Sequence, residues 1–339
     1  MHFFVVPDMF DLPSGGNLYN ARLTEALAQL VPSIVVMDWE AFLDERREGM
    51  FWIDTLYMDH WASNPLLRTG QTVGLLVHHL ESLYPPEGVH SDQYFEAHER
   101  EILAQFDAFL VTSPFTRQYL LRRGFSADDI FVVPPATDPQ SSSVITHEGG
   151  LRAIMVANLI DRKGILDWLK VLAEGLEESD VTLPVSLTII GSDQLDPAYA
   201  AACHTCVADS DVLTGCVRLA GECPHSDVLA AYAESNLFVS TARMETFGMA
   251  LQEAHAIGLP ILALDGGHIA KHVQQGKNGY VFQDILALRE VFLSLARVPI
   301  FRQRLIEGAA TCRPDSEYDW SAAAKRYLAL TEAANLTSR

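Results

Sequence analysis

Apolar and polar positions along the chain form two kinds of stretch in alternation. HFFVV (2–6), SIVVM (33–37), TVGLLV (72–77), AFLVT (108–112) and IFVVP (130–134) are short, continuous and rich in β-branched or aromatic residues, as in strands buried on both faces. Between them lie amphipathic stretches, such as the one in which Leu18, Leu23, Leu27 and Leu30 fall near one helical stripe. Strand and helix in alternation predict a parallel sheet. Residues 135–150, PATDPQSSSVITHEGG, lose this periodicity and have the composition of a linker. A second series follows: AIMVA (153–157), SLTIIG (186–191), VRLAG (217–221), LFVST (237–241), ILALD (261–265) and YVF (280–282). The pattern predicts an α/β protein of two doubly wound domains, 1–137 and 151–318, joined by a linker at 138–150. There is no tandem repeat and no extended low-complexity tract.

Composition narrows the function. The 339 residues are 49% hydrophobic, enough for two domains of ~150 residues with separate cores. Lys+Arg 24 against Asp+Glu 44 gives a net charge of −20, which repels a phosphate backbone and sets nucleic acid aside as a partner. No apolar run approaches the ~18 residues of a membrane span, and MHFFVVPDMF lacks the basic region of an export signal. Five cysteines fit a reducing compartment better than a disulfide framework, so a cytoplasmic protein is expected.

Ligands of open parallel sheets sit beyond the carboxyl ends of strands, so the loops there carry the candidate chemistry. After the first strand, Ser14, Gly15 and Gly16 lead into a helix, and paired glycines let the backbone approach a ligand; they equally suit an ordinary tight turn. Gly266 and Gly267 follow ILALD in the same way. Arg162, Lys163 and Gly164 stand at a strand-to-helix junction, where a cation and a helix dipole act on one anion, although a solvated RKG turn has the same look. His78 and His79 close TVGLLV, where a histidine can donate to a bound hydroxyl or serve a structural role. Cys203, Cys206, Cys216 and Cys223 have a zinc-like spacing, but the small residues around CHTC favour packed thiols, and no metal is expected.

In STARMETFGMALQEAHAIG (240–258) a strand gives way to a short loop and then to a helix predicted over TFGMALQEAHAIG, stopped by Gly258 and Pro260. Glu245 falls just before that helix, beside the amides of Thr246, Phe247, Gly248 and Met249, and Glu253 two turns inside it. Such a pocket suits sugar hydroxyls on the carboxylate and phosphate oxygens on the amides. Each glutamate alone also suits a helix-end charge or a solvated face.

These segments, with SGGNLYNARLTEAL, VANLIDRKG, IIGSD and GKNGYVF, resemble the retaining GT-B glycosyltransferases of glycosyltransferase family 4 over nearly the whole chain. The Glu245 to Glu253 spacing is that family's E-x(7)-E signature. The resemblance implies two facing Rossmann-like domains, with a final helix, about 319–335, crossing back to the first. It implies a nucleotide-diphosphate sugar donor (UDP-, GDP- or ADP-linked), an acceptor hydroxyl, retention of anomeric configuration and no required cofactor. Glu245 and His78 would then contact the transferred sugar, Glu253 the nucleotide ribose, and Lys163, Gly15, Gly16 and the amides from Thr246 to Met249 the diphosphate and sugar.

The match departs from the family in two places. Asn158 stands where the family has an arginine five positions before the lysine; Arg162 is the candidate to substitute, although its place next to Lys163 would point it elsewhere on a regular element, and both count among the expected donor-binding residues. Lys271 stands where an acidic residue usually follows the second glycine pair. A nucleotide-sugar-binding pseudoenzyme and a GT-B sugar-nucleotide epimerase are the alternatives. An NAD-dependent oxidoreductase lacks its glycine fingerprint here. The irregular, aromatic-rich segment 37–61 is the expected acceptor-facing region, and the acidic chain predicts at most weak, peripheral membrane contact.

Overall fold

The computed structural model describes residues 1–7, 14–63, 71–137, 149–312 and 318–334. The chain divides into two compact units, Met1–Asp138 with Glu317–Arg339, and Pro139–Ser316. Of the linker predicted at 138–150, only Gly149 and Gly150 fall within the described residues.

Six parallel strands form the sheet of the first unit: β1 (His2–Val5), β2 (Ile34–Met37), β3 (Gly49–Asp54), β4 (Gln71–Val77), β5 (Ala108–Val111) and β6 (Ile130–Val132), in the order β2-β1-β3-β4-β5-β6. Strand β3 corrects the expectation of an irregular segment at 37–61. GMFWID lies between β1 and β4, and Met50, Phe51, Trp52 and Ile53 are fully buried. The charged DERRE before it and the scarcity of β-branched residues within it hide the strand in the sequence. Gly74 pairs with Trp52 across β3 and β4, and a Cβ there would lie 2.5 Å from the indole, so the glycine makes room for the ring. Two other expectations fail at the surface: β2 is an edge strand with Val36 52% exposed, and Leu30 lies off the buried stripe of helix Gly15–Leu30.

The helix Trp320–Ala333, capped by Asp319, belongs to this unit and packs on the helix Gly15–Leu30. Its fully buried Tyr327 receives the Trp52 indole N–H (2.7 Å) and donates to Nδ1 of His2 (2.7 Å). Burial, aided by the nearby chain N-terminus, lowers His2 to about 4. The folded state therefore holds His2 neutral, while the unfolded chain takes up the proton below the ordinary value of about 6.5. This contribution is complete above pH 6.5 and is lost as pH falls through about 4, amounting to about 3 kcal/mol at ~1.4 kcal/mol per unit. The thermal midpoint should fall between pH 7 and 4.5, and less steeply in His2→Asn, whose amide oxygen can accept from Tyr327 without titrating.

The second unit contains β7 (Leu151–Val156), β8 (Val185–Ile190), β9 (Val217–Gly221), β10 (Leu237–Ser240), β11 (Ile261–Leu264) and β12 (Gly279–Phe282), in the order β12-β11-β10-β7-β8-β9, also parallel. Alternate residues of β7 feed two cores. Ala153 and Met155 join Trp168, Leu169 and Phe292 on one face, and Ile154 joins Tyr232, Leu251 and Ile257 on the other. The chain winds first from β7 to β8 and β9, then back to β10 beside β7. The loops after β7 and β10 therefore leave adjacent strands in opposite directions, opening a crevice at the sheet's switch point.

Candidate functional site

The loop after β7 makes a 3-10 turn at Asp161–Lys163 and then reverses at Gly164 (φ 64°), where a Cβ would meet the Thr241 carbonyl at 2.5 Å. Glycine alone fits this left-handed position against the β10 loop. Because the turn is not a regular element, consecutive side chains converge, contrary to the expectation for Arg162. The Lys163 ammonium pairs with Oε1 of Glu245, and Arg162 Nη1 lies 3.9 Å from Oε2 while donating to the Met244 carbonyl (2.9 Å). Lys163 and Glu245 are 16% and 15% exposed, so the pair is largely shielded from water. Burial foremost, with the charge of Arg162, lowers the Lys163 value, and Glu245 opposes that shift. The Asn158 amide oxygen accepts from the Ser192 N–H (2.9 Å), tying the β7 loop to the β8 loop. Asn158 thus has a supporting contact that an arginine there would give up.

Glu245 does not sit at a helix N-terminus as expected. The helix begins at Met249, Gly248 precedes it in a left-handed conformation (φ 88°), and Glu245 bridges to Gly267. Sequence periodicity alone extends the helix back over Thr246–Gly248, but the positive φ breaks it there. The second glycine pair also has another use. A Cβ on Gly266 would come within 2.3 Å of the Arg243 carbonyl, and one on Gly267 within 2.2 Å of the Glu245 carbonyl. These glycines let two loops join.

Glu253 is the fifth residue of the helix Met249–Ile257, one turn in rather than two, and 14% exposed. It accepts from the Tyr232 hydroxyl (3.3 Å) and lies 3.7 Å from Nε2 of His225. It is therefore a held carboxylate and not a solvated one. The sequence reading missed Tyr232 and His225; Pro224-His225, opening a helix after β9, was the available signal.

In the first unit, Ser14 caps the helix Gly15–Leu30 through the Asn17 N–H, and a Cβ on Gly16 would press on the His78 ring at 3.0 Å. Asp54, fully buried at the end of β3, accepts from the Asn20 amide (2.6 Å) and the Leu56 N–H (2.8 Å). Its carboxylate can only accept, so Asn20 turns its amide nitrogen to Asp54 and its oxygen to His78, whose Nε2 donates at 2.8 Å. Asp54 itself lies 3.4 Å from that nitrogen. Burial alone would raise the Asp54 value, but the His78 charge and these hydrogen bonds outweigh it and leave it lowered. Asp54 and Asn20 were missed because β3 was missed.

Cys203 lies buried on the helix Pro197–Ala208, where burial pushes its thiol up to about 11. Among the described residues no group of three potential ligands could hold a metal ion.

Two Rossmann-like units, each with candidate polar side chains at the carboxyl ends of its strands, define the GT-B class of α/β proteins. Glycosyl transferases group 1 match over residues 138–311, and Glycosyltransferase Family 4 over residues 50–141. The chain belongs to the group 1 glycosyl transferases. It is similar to the amylovoran biosynthesis glycosyltransferase AmsK of Erwinia amylovora, 26% identical over 60% of this chain and 51% of that one, so the match spans about half of that relative's length. D-inositol 3-phosphate glycosyltransferase 1 of Catenulispora acidiphila is 24% identical over 83% of this chain and 72% of its own. In fold, the chain matches a sucrose-phosphate synthase from Thermosynechococcus elongatus (TM-score 0.76, 18% identity, 99% of each chain). It also matches Anabaena HepE in complex with UDP and glucose (TM-score 0.72, 13% identity, 98% of this chain and 99% of that one). Among the described residues no helix is long and apolar enough to cross a membrane.

Proposed function

We propose that the chain transfers a sugar from a nucleoside-diphosphate sugar to an acceptor hydroxyl, with retention at the anomeric carbon. The observation that carries this reading is the convergence of Lys163 and Arg162 on Glu245 at the β7–β10 crevice, in the loop that leads into the helix bearing the held carboxylate Glu253. Cations and a carboxylate in one shielded site suit a ligand with both anionic oxygens and hydroxyls. The diphosphate takes Lys163 and the amides around Thr246, Phe247, Gly248 and Met249, and the sugar hydroxyls take Glu245. Glu253 takes the ribose diol. That HepE is described with UDP and glucose bound supports a donor of this kind.

As the bond to the diphosphate breaks, negative charge grows on the leaving oxygens and positive charge on the sugar ring. Fixed groups already aimed at those charges lower the barrier without reorganising. Lys163 serves the leaving group in this scheme and Glu245 the sugar; His78 is a further candidate for sugar contact, with Gly15 and Gly16 beside it as candidates for the phosphates. No metal is required by this scheme, and an acidic chain with five free cysteines suits a reducing, aqueous compartment. The test is the product's anomeric configuration, read by proton NMR after reaction with a nucleotide sugar and a cell extract as acceptor source. Retention supports the reading, and inversion contradicts it.

A further inference from the structure

The loop that carries Glu245 is held from one side by a single turn, Ile269–His272. The His268 N–H donates to the Glu245 carbonyl (2.8 Å), and the His272 ring donates through Nε2 to the Phe247 carbonyl (2.6 Å). The rings reinforce these bonds. His268 stacks on Phe247 (5.4 Å between centroids, 18° between planes), and His272 meets both rings edge-on (5.1 and 5.5 Å). His272 is 7% exposed, and burial lowers its value below that of an ordinary histidine. It is thus neutral at pH 7, with its one ring proton on the nitrogen that faces the carbonyl.

The peptide links here are trans, and in a trans peptide the carbonyl and the following N–H point to opposite sides. Anchoring the carbonyls of Glu245 and Phe247 on the turn therefore directs the N–H groups of Thr246 and Gly248 away from it. Gly248, at φ 88°, permits this orientation, whereas a residue with a side chain would resist it.

We propose that His272 is a positioning residue for donor binding: by holding the Phe247 carbonyl it aims the Gly248 amide at the anionic part of the nucleotide sugar. The assignment rests on the donor reading above and adds a residue outside the Glu245–Glu253 segment to it. An unaimed amide is a poor anion ligand, because turning it on binding costs part of the interaction.

Three forms of the full chain, unaltered, His272→Leu and His272→Gln, separate positioning from packing. Each is titrated calorimetrically with UDP, GDP and ADP, assayed for turnover of the matching sugar nucleotide, and melted. Leucine fills much of the space without a donor, whereas the glutamine amide restores one. We expect His272→Leu to weaken nucleoside diphosphate binding about 10-fold, the scale of one hydrogen bond to a charged group, and to lower turnover. His272→Gln should recover most of both, even where the two variants melt alike. If leucine does not fold, His272→Phe, which keeps the ring contacts, takes its place. Binding and turnover within twofold in the donor-less variant, or glutamine no better than leucine, would overturn the assignment. If the unaltered chain binds none of the three diphosphates, the donor reading itself fails, and the role of His272 falls with it.

Discussion

Lys163→Ala should lower turnover by a factor of ~100 or more, the range seen when one preorganised electrostatic group is removed from a reaction site. The family's arginine is replaced by Asn158, whose amide oxygen is engaged with Ser192, so that position supplies no charge. Arg162 lies beside the same carboxylate, but its guanidinium is tied to the Met244 carbonyl and sits on the Oε2 side of Glu245. In the proposed scheme it reinforces Lys163 without replacing it. Lys163→Arg should rescue in part only, because a planar fork does not reproduce a compact ammonium in a shielded site. Initial rates at saturating donor measure this. Near-normal turnover in Lys163→Ala, with a loss in Arg162→Ala, would exchange the two roles.

Glu253→Ala should weaken binding of donor and of free nucleoside diphosphate alike, by about 1.5–3 kcal/mol, the value of a charged hydrogen-bonding group. The carboxylate is already fixed by Tyr232 and His225, so under the proposed donor reading little ordering would remain to be done on binding of the ribose diol. The substitution is also mild for the fold, since the Tyr232 hydroxyl keeps its second partner, the Ala250 carbonyl at 3.2 Å. Glu245→Gln should behave oppositely. It removes the negative charge from beside two cations, so diphosphate binding should hold or tighten, while turnover falls through the lost sugar contact. Calorimetric titration of both variants with nucleoside diphosphate distinguishes them, and equal losses of affinity would mean the roles are wrongly divided.

Among the described residues eleven of the twelve strands are legible as apolar runs; the central ones read so because a strand covered on both faces needs continuous hydrophobicity, and the edge strand β2 reads so despite its exposure. The exception, β3, lies hidden between charged and aromatic stretches, and with it went Asp54 and, through Asp54, the reason for Asn20 beside His78. Glu245, Glu253 and Lys163 stand out in the sequence by their spacing, and the structure pairs Lys163 with Glu245 and holds Glu253 on Tyr232. Their surroundings do not stand out in this way. The left-handed turn at Gly164 is set by close packing on the β10 loop and lies in the turn that brings Arg162 to Glu245, while the one at Gly248 makes the helix start at Met249. The contacts of Glu253 with Tyr232 and His225 span 21 and 28 residues, and those from His268 and His272 to the Glu245 loop span 23 and 25. No local pattern announces such pairings.

The most direct measurement of the central claim is release of nucleoside diphosphate from UDP-, GDP- and ADP-sugars, scored by mass spectrometry with and without a cell extract as acceptor source. The account predicts that at least one donor is consumed, that the extract accelerates its consumption, that a glycosylated product appears, and that Lys163→Ala suppresses all three. A folded chain that consumes none of the donors under either condition would contradict it.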